Sequence, residues 1–301
     1  MKKICFILGL LVAGAVVFTS CEEKLGPSIF CTEPIERNNF DQWLFDNFVL
    51  PYNVEILYKF VDIESSLNHN LIPASLENSK KMAQIIKHVW FDAYAEVVNE
   101  EFLRRNSPRT LQFIGSSAWV TETMRILGTA EGGLKVTLYM INELSLDMET
   151  LNTFYFGTMH HEFAHILHQN RMYDLAFREI TPVYIGDEWR FTTLSTALRG
   201  GWITPYAASA ADEDFVELFT RYIITTPSTW ESWMNIAQTG IIRPRVGDTP
   251  AFTGRDAIEQ KLEIIRLYMI NTWGLCIELM RDVSLRRAGE VATMEFDMFE
   301  D

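Results

Sequence analysis

His161 and His165 stand four residues apart in the segment His161-Glu162-Phe163-Ala164-His165. On a helix that spacing leaves them about 40° apart around the axis and one turn apart along it, so both imidazoles can reach one tetrahedral metal ion from a single rigid face. Glu162, one step round from the first histidine, can then point at a metal-bound water and accept its proton. This is how a zinc hydrolase arranges its residues. Four of the six histidines lie between His160 and His168, and Phe163, Ala164, Ile166 and Leu167 supply the apolar side of a buried helix. A core helix with incidental surface histidines does not account for that clustering.

The third ligand decides the subclass. A glycine three residues beyond His165 and a histidine three beyond that would complete one known zinc pattern, but those positions hold His168 and Arg171. His168 shares the helical face yet lies two turns from His161, which suits a supporting or packing role rather than a ligand's. A carboxylate from a later helix remains, as in two-His-one-Glu sites. The stretch Asp212-Glu213-Asp214-Phe215-Val216-Glu217 offers four. Glu213 is the favoured ligand, with Glu217, Asp212 and Asp214 as alternatives. Acidic residues at a helix start also complement the helix dipole without binding anything.

Helical spacing of Trp43, Leu44 and Phe48 predicts a helix over 41–48, broken at Pro51-Tyr52-Asn53 and followed by a strand over 54–58. A long helix is expected from Ser79 to Arg104, with Met82, Ile85, Ile86, Val89 and Trp90 as its apolar stripe. Short strands are expected at 111–114 and 134–139, the second after a turn at Thr129 to Gly133. That second strand reads as having one face buried, and as an edge on which an extended substrate backbone could pair. Helices follow over 153–170, which holds the histidines, over 212–224 and over 256–269. The whole predicts an α+β fold, mainly helical with a small mixed sheet and a cleft between two lobes, spanning residues 38–290 with a tail at 291–301.

Lys2 and Lys3, an apolar run from Ile4 to Phe18, and Thr19-Ser20-Cys21 form a secretory signal over 1–20. The small residue before Cys21 resembles a bacterial lipobox, so Cys21 is expected to be lipidated and to anchor the chain in the outer membrane, exposed at the cell surface or facing the periplasm. Glu22 and Glu23 resemble a surface-export signal. Residues 21–37, with Pro27 and Pro34, read as a tether. An oxidising compartment would permit a Cys31–Cys276 disulfide. Without Lys2 and Lys3 the chain carries 40 acidic and 24 basic residues, a balance of −16 with no basic cluster, which excludes nucleic acid as a natural partner.

The segment from His160 to Gln169, the pair Tyr206-Ala207 and the run Glu213 to Glu217 resemble the zinc-binding metallopeptidase lipoproteins of Bacteroidetes, also called substrate import-associated zinc metallohydrolase lipoproteins. Pro51 to Glu55, Gly115-Ser116 and Leu127 to Lys135 match that family too, and the resemblance runs from about residue 40 to 285. It implies a zincin-like fold, a peptide or protein substrate, and association with an outer-membrane, TonB-dependent nutrient-uptake system. More distantly, Glu213 to Glu217 behind Tyr206 is similar to the ligand helix of gluzincins such as anthrax lethal factor. There the resemblance implies Glu213 as ligand, Glu217 as its support and Tyr206 as the group that steadies the oxyanion. Asp214 stands where that pattern has an aromatic, and Tyr206 reads equally well as a core aromatic.

The function expected is therefore a zinc-dependent hydrolase, with Glu162 as general base, Tyr206 as an oxyanion partner, and His161, His165 and Glu213 on the metal. The rival is a non-catalytic surface lipoprotein that captures glycan or peptide for an uptake channel. Trp119, Tyr155, Phe156, Tyr184, Trp189, Trp202 and Tyr206 would form its platform.

Overall fold

Ser75 opens the first long helix by accepting a hydrogen bond from the Asn78 amide at 3.3 Å, which satisfies one of the donors a helix start leaves free. In the computed structural model, which describes residues 36–66, 68–119, 125–126, 128–131, 134–242 and 251–300, this helix is α1 (Leu76–Ile86). It continues through a π turn at Lys87–Phe91 and a further turn at Asp92–Val97. Met82, Ala83, Ile85, Ile86, Val89 and Trp90 are all buried along it. The single helix expected to Arg104 is interrupted at Asn99, whose side chain caps the next helix, Glu100–Asn106, through the Phe102 amide. Asparagine competes for backbone donors and so favours a cap over a helix interior.

The main sheet has the order β1 (Glu55–Leu57), β2 (Thr110–Phe113), β6 (Lys135–Leu138) and β5 (Gly128–Glu131). The first three run parallel, and β5 pairs antiparallel with β6 in the register Gly128↔Leu138. A separate two-stranded pairing joins β3 (Ala118–Trp119) to β4 (Arg125–Ile126). The strand expected at an edge, β6, is instead interior, paired on both sides, and β5 forms the edge. Within β6, Thr137 is buried as well as Val136 and Leu138, so the strand is covered on both faces rather than one. Alternating polarity did not signal this because a threonine can bury its hydroxyl beside a neighbouring amide, here 3.4 Å from Gln112.

Three helices build the body behind this sheet: α2 (Gly157–Asn170), α3 (Ala211–Ile224) and α4 (Gly254–Tyr268), with α5 (Ile277–Glu290) closing the C-terminal side. Helix α2 lies against β5, β6 and α3, and α3 packs in turn on α4 and α5. Residues Asn38–Asp301 form one compact unit. Its C-terminal residues return to a short N-terminal helix, Asn39–Leu44, where the Phe299 ring centroid lies 5.2 Å from that of Phe40 and 5.4 Å from that of Trp43. The signal segment, Cys21, Cys31 and the turn at Gly132-Gly133 lie outside the described residues. Among the described residues no helix is long and apolar enough to cross a membrane.

Candidate metal centre

Helix α2 is fixed by its apolar side. Phe163 is fully buried, and its ring sits 5.7 Å from Trp90, 4.9 Å from Tyr94 and 5.8 Å from Phe102. Aromatic packing of this kind adds about 0.5–1.5 kcal/mol per pair beyond the area buried. The core therefore sets the rotation of α2. His160 turns into that core, 3.0 Å from the Tyr94 hydroxyl, and burial pushes its pKa down to about 3, so it stays neutral. His161 and His165 emerge on the side facing α3.

There the structure brings three donor atoms together. His161 Nε2 lies 3.2 Å from His165 Nε2 and 3.2 Å from Glu213 Oε2, and His165 Nε2 lies 3.3 Å from the same oxygen. Ligands bound at 2.0–2.1 Å with tetrahedral angles would be spaced about 3.3 Å apart. The triangle fits zinc, and its three members leave a tetrahedron's fourth position for water or substrate. Among the described residues it is the cluster of this kind that could hold a metal ion.

The four carboxylates that open α3 have four different tasks. Glu213 faces the histidines. Asp212 accepts from the Tyr173 hydroxyl at 2.6 Å and from Arg178 at 2.8 Å. Asp214 is fully buried, 2.5 Å from Lys261 Nζ and 2.9 Å from the Tyr184 hydroxyl. Burial pushes its carboxyl up and the Lys261 ammonium down, outweighing in each the attraction of the other. Glu217 accepts from His161 Nδ1 at 2.9 Å and from Thr204 Oγ1 at 2.7 Å, with Arg221 Nε at 3.3 Å. Such a carboxylate behind a ligand histidine fixes its tautomer and raises its basicity.

Charge follows from this layout. Burial opposes ionisation of Glu213 and Glu217, but the two histidines outweigh it at Glu213, and Arg221 and then His161 outweigh it at Glu217; Glu213 falls to about 2 and Glu217 is held well below the usual carboxylate range. Burial opposes a charge on His161 too, yet the two carboxylates on either side raise its pKa to about 10. Zinc needs the neutral imidazole, so its capture displaces that proton. Between pH 7 and 9 about one proton should leave His161 per zinc bound, and apparent affinity should rise about tenfold per pH unit. Calorimetry in two buffers of different ionisation enthalpy measures this, and pH-independent binding would contradict it.

Glu162 is half-buried on α2, and its charge acts on both His161 and Tyr206. Tyr206 stands on a short turn, Tyr206–Ala208, with its ring 6.0 Å from that of His161 and 5.0 Å from Trp189. Burial, then the Glu213 carboxylate, push its pKa upward, so its hydroxyl remains a donor at neutral pH. It borders the centre and is not a core residue.

Several contributors are absent from the sequence reading. Arg221 could have been found, being four residues after Glu217 on the same helix. Lys261 arrives from a remote segment, and Thr204 from the turn before α3, two residues ahead of Tyr206; no local spacing announces either. His168 is two turns from His161 but only one from His165, with its Nε2 3.0 Å from His165 Nδ1.

A family described as "Putative zinc-binding metallo-peptidase" matches residues 33–278. Among solved structures, a crystal structure of a protein of the same description from Bacteroides caccae ATCC 43185 has a TM-score of 0.74 and 37% sequence identity, covering 89% of this chain and 98% of that one. No curated protein matches.

Proposed function

This chain belongs to the zinc-binding metallo-peptidase family, and from that premise we propose that it is a zinc-dependent peptidase of the cell surface or periplasm that serves nutrient uptake. The observation that carries the reading is the near-equilateral set of His161 Nε2, His165 Nε2 and Glu213 Oε2, with Glu162 one residue from the first of them.

When bound, zinc supplies Lewis acidity, which acidifies water and polarises a carbonyl. The chain's own residues do the rest. The Glu162 carboxylate takes the proton of the attacking water and returns it to the departing amine. The Tyr206 hydroxyl donates to the oxygen that gains negative charge. Glu217, held by Thr204 and Arg221, keeps His161 oriented. An extended substrate backbone would pair with the outer edge of β5, the strand at that end of the sheet order, which lies against α2.

Anchoring through lipidated Cys21 and partnership with a TonB-dependent channel rest on the lipobox-like segment and the acidic residues after it. Of the seven aromatics that the capture-only alternative would use, Tyr155 and Phe156 are buried and Tyr184 is tied to Asp214, whereas Trp119 is exposed and Trp189, Trp202 and Tyr206 are partly exposed. Tyr206 lies beside the ligand His161, and Trp189 packs on Tyr206, which joins these two to the metal centre rather than to a separate platform.

Elemental analysis of a soluble 22–301 chain after exhaustive dialysis should find one zinc per chain. A chain with none would mean that the ligands are misassigned or the site vestigial.

A further inference from the structure

The two ligand histidines are backed differently. His161 has a carboxylate behind it, whereas His165 has another imidazole: its Nδ1 lies 3.0 Å from His168 Nε2. His168 is buried, and its ring is wedged 5.7 Å from Tyr173 and 6.0 Å from Phe215. Those two rings stack on each other at 4.1 Å, and the Tyr173 hydroxyl is anchored on Asp212, the residue before Glu213. The stack thus holds His168 with Nε2 turned toward His165.

Resting on the assignment of His161, His165 and Glu213 as zinc ligands, we propose that His168 is a positioning residue for the metal centre, accepting the Nδ1–H of His165 so that His165 Nε2 keeps its lone pair aimed at the ion. A histidine that binds through Nε2 carries its proton on Nδ1, and that proton needs an acceptor. His168 can accept only through an unprotonated Nε2, so its own proton sits on Nδ1. No protein atom among the described residues pairs with that Nδ1.

The test compares zinc affinity of the wild-type chain, His168→Leu and His168→Gln by chelator competition. Glutamine can place its amide oxygen near the position of the lost Nε2, whereas leucine keeps bulk without an acceptor. His168→Leu should weaken zinc binding on the order of 10–100-fold, and His168→Gln should stay within a few-fold of wild type. Equal losses in both variants would reduce His168 to a packing residue, and no loss in either would overturn the proposal. A wild-type chain that binds no zinc would overturn the ligand assignment itself, which keeps the two failures distinct. Should the leucine variant not fold, imidazole nitrogen NMR of the zinc-loaded wild type decides: Nδ1–H on both His165 and His168 is expected, and Nε2–H on His168 overturns the inference.

Discussion

Glu162→Gln should lower kcat/KM by about 10²–10⁴-fold while leaving zinc content unchanged, a loss of roughly 3–5 kcal/mol of transition-state stabilisation. The change keeps the size of the side chain and removes only its ability to take a proton. Glu162 is not among the three atoms that form the ligand triangle, so the metal should stay. Cleavage of a peptide mixture, followed by mass spectrometry on metal-matched samples, gives the comparison. A variant with full activity would remove Glu162 from the mechanism. A variant that lost its zinc would make Glu162 part of the ligand shell.

The second large effect is on stability. Lys261 is completely buried, with Nζ 2.5 Å from Asp214 and 2.9 Å from the Gly201 carbonyl, and it lies 5.6 Å from the Phe177 ring centroid. Lys261→Met would leave the Asp214 carboxylate without its counter-charge inside the core. Breaking one partner of such a pair typically costs 3–5 kcal/mol, whereas replacing both by apolar residues is often neutral. Urea unfolding should therefore show a loss of about 3–5 kcal/mol for Lys261→Met and a substantial recovery for Lys261→Met with Asp214→Leu. A single variant within about 1 kcal/mol of wild type would show that the pair carries no such strain.

What the sequence disclosed, and what it hid, divides along local and non-local lines. The histidine pair and Glu162 were legible because one helix carries them and helical geometry fixes their relation. The choice among Asp212, Glu213, Asp214 and Glu217 was not legible from spacing, because neighbours on one helix turn face different ways and their partners come from elsewhere. Tyr173, Lys261 and Thr204 settle three of those four carboxylates, and all three lie outside the helix that carries them. The position of β6 was hidden for the same reason: whether a strand is an edge depends on β5 and β2 lying on either side of it. The helix break at Asn99 was readable in principle, since an asparagine followed by two glutamates is a helix start.

His161 lies between Glu213 and Glu217, and this bears on the order of events in the life of the chain. Small zinc modules cannot fold until the ion arrives, because their ligands have nothing else to hold them. Here the imidazolium of His161 can balance the two carboxylates from the moment the chain compacts, and a large apolar core does not depend on the ion. Folding and metallation should thereby be separable: the chain can reach its final shape where zinc is scarce and acquire the ion later, exchanging one cation for another.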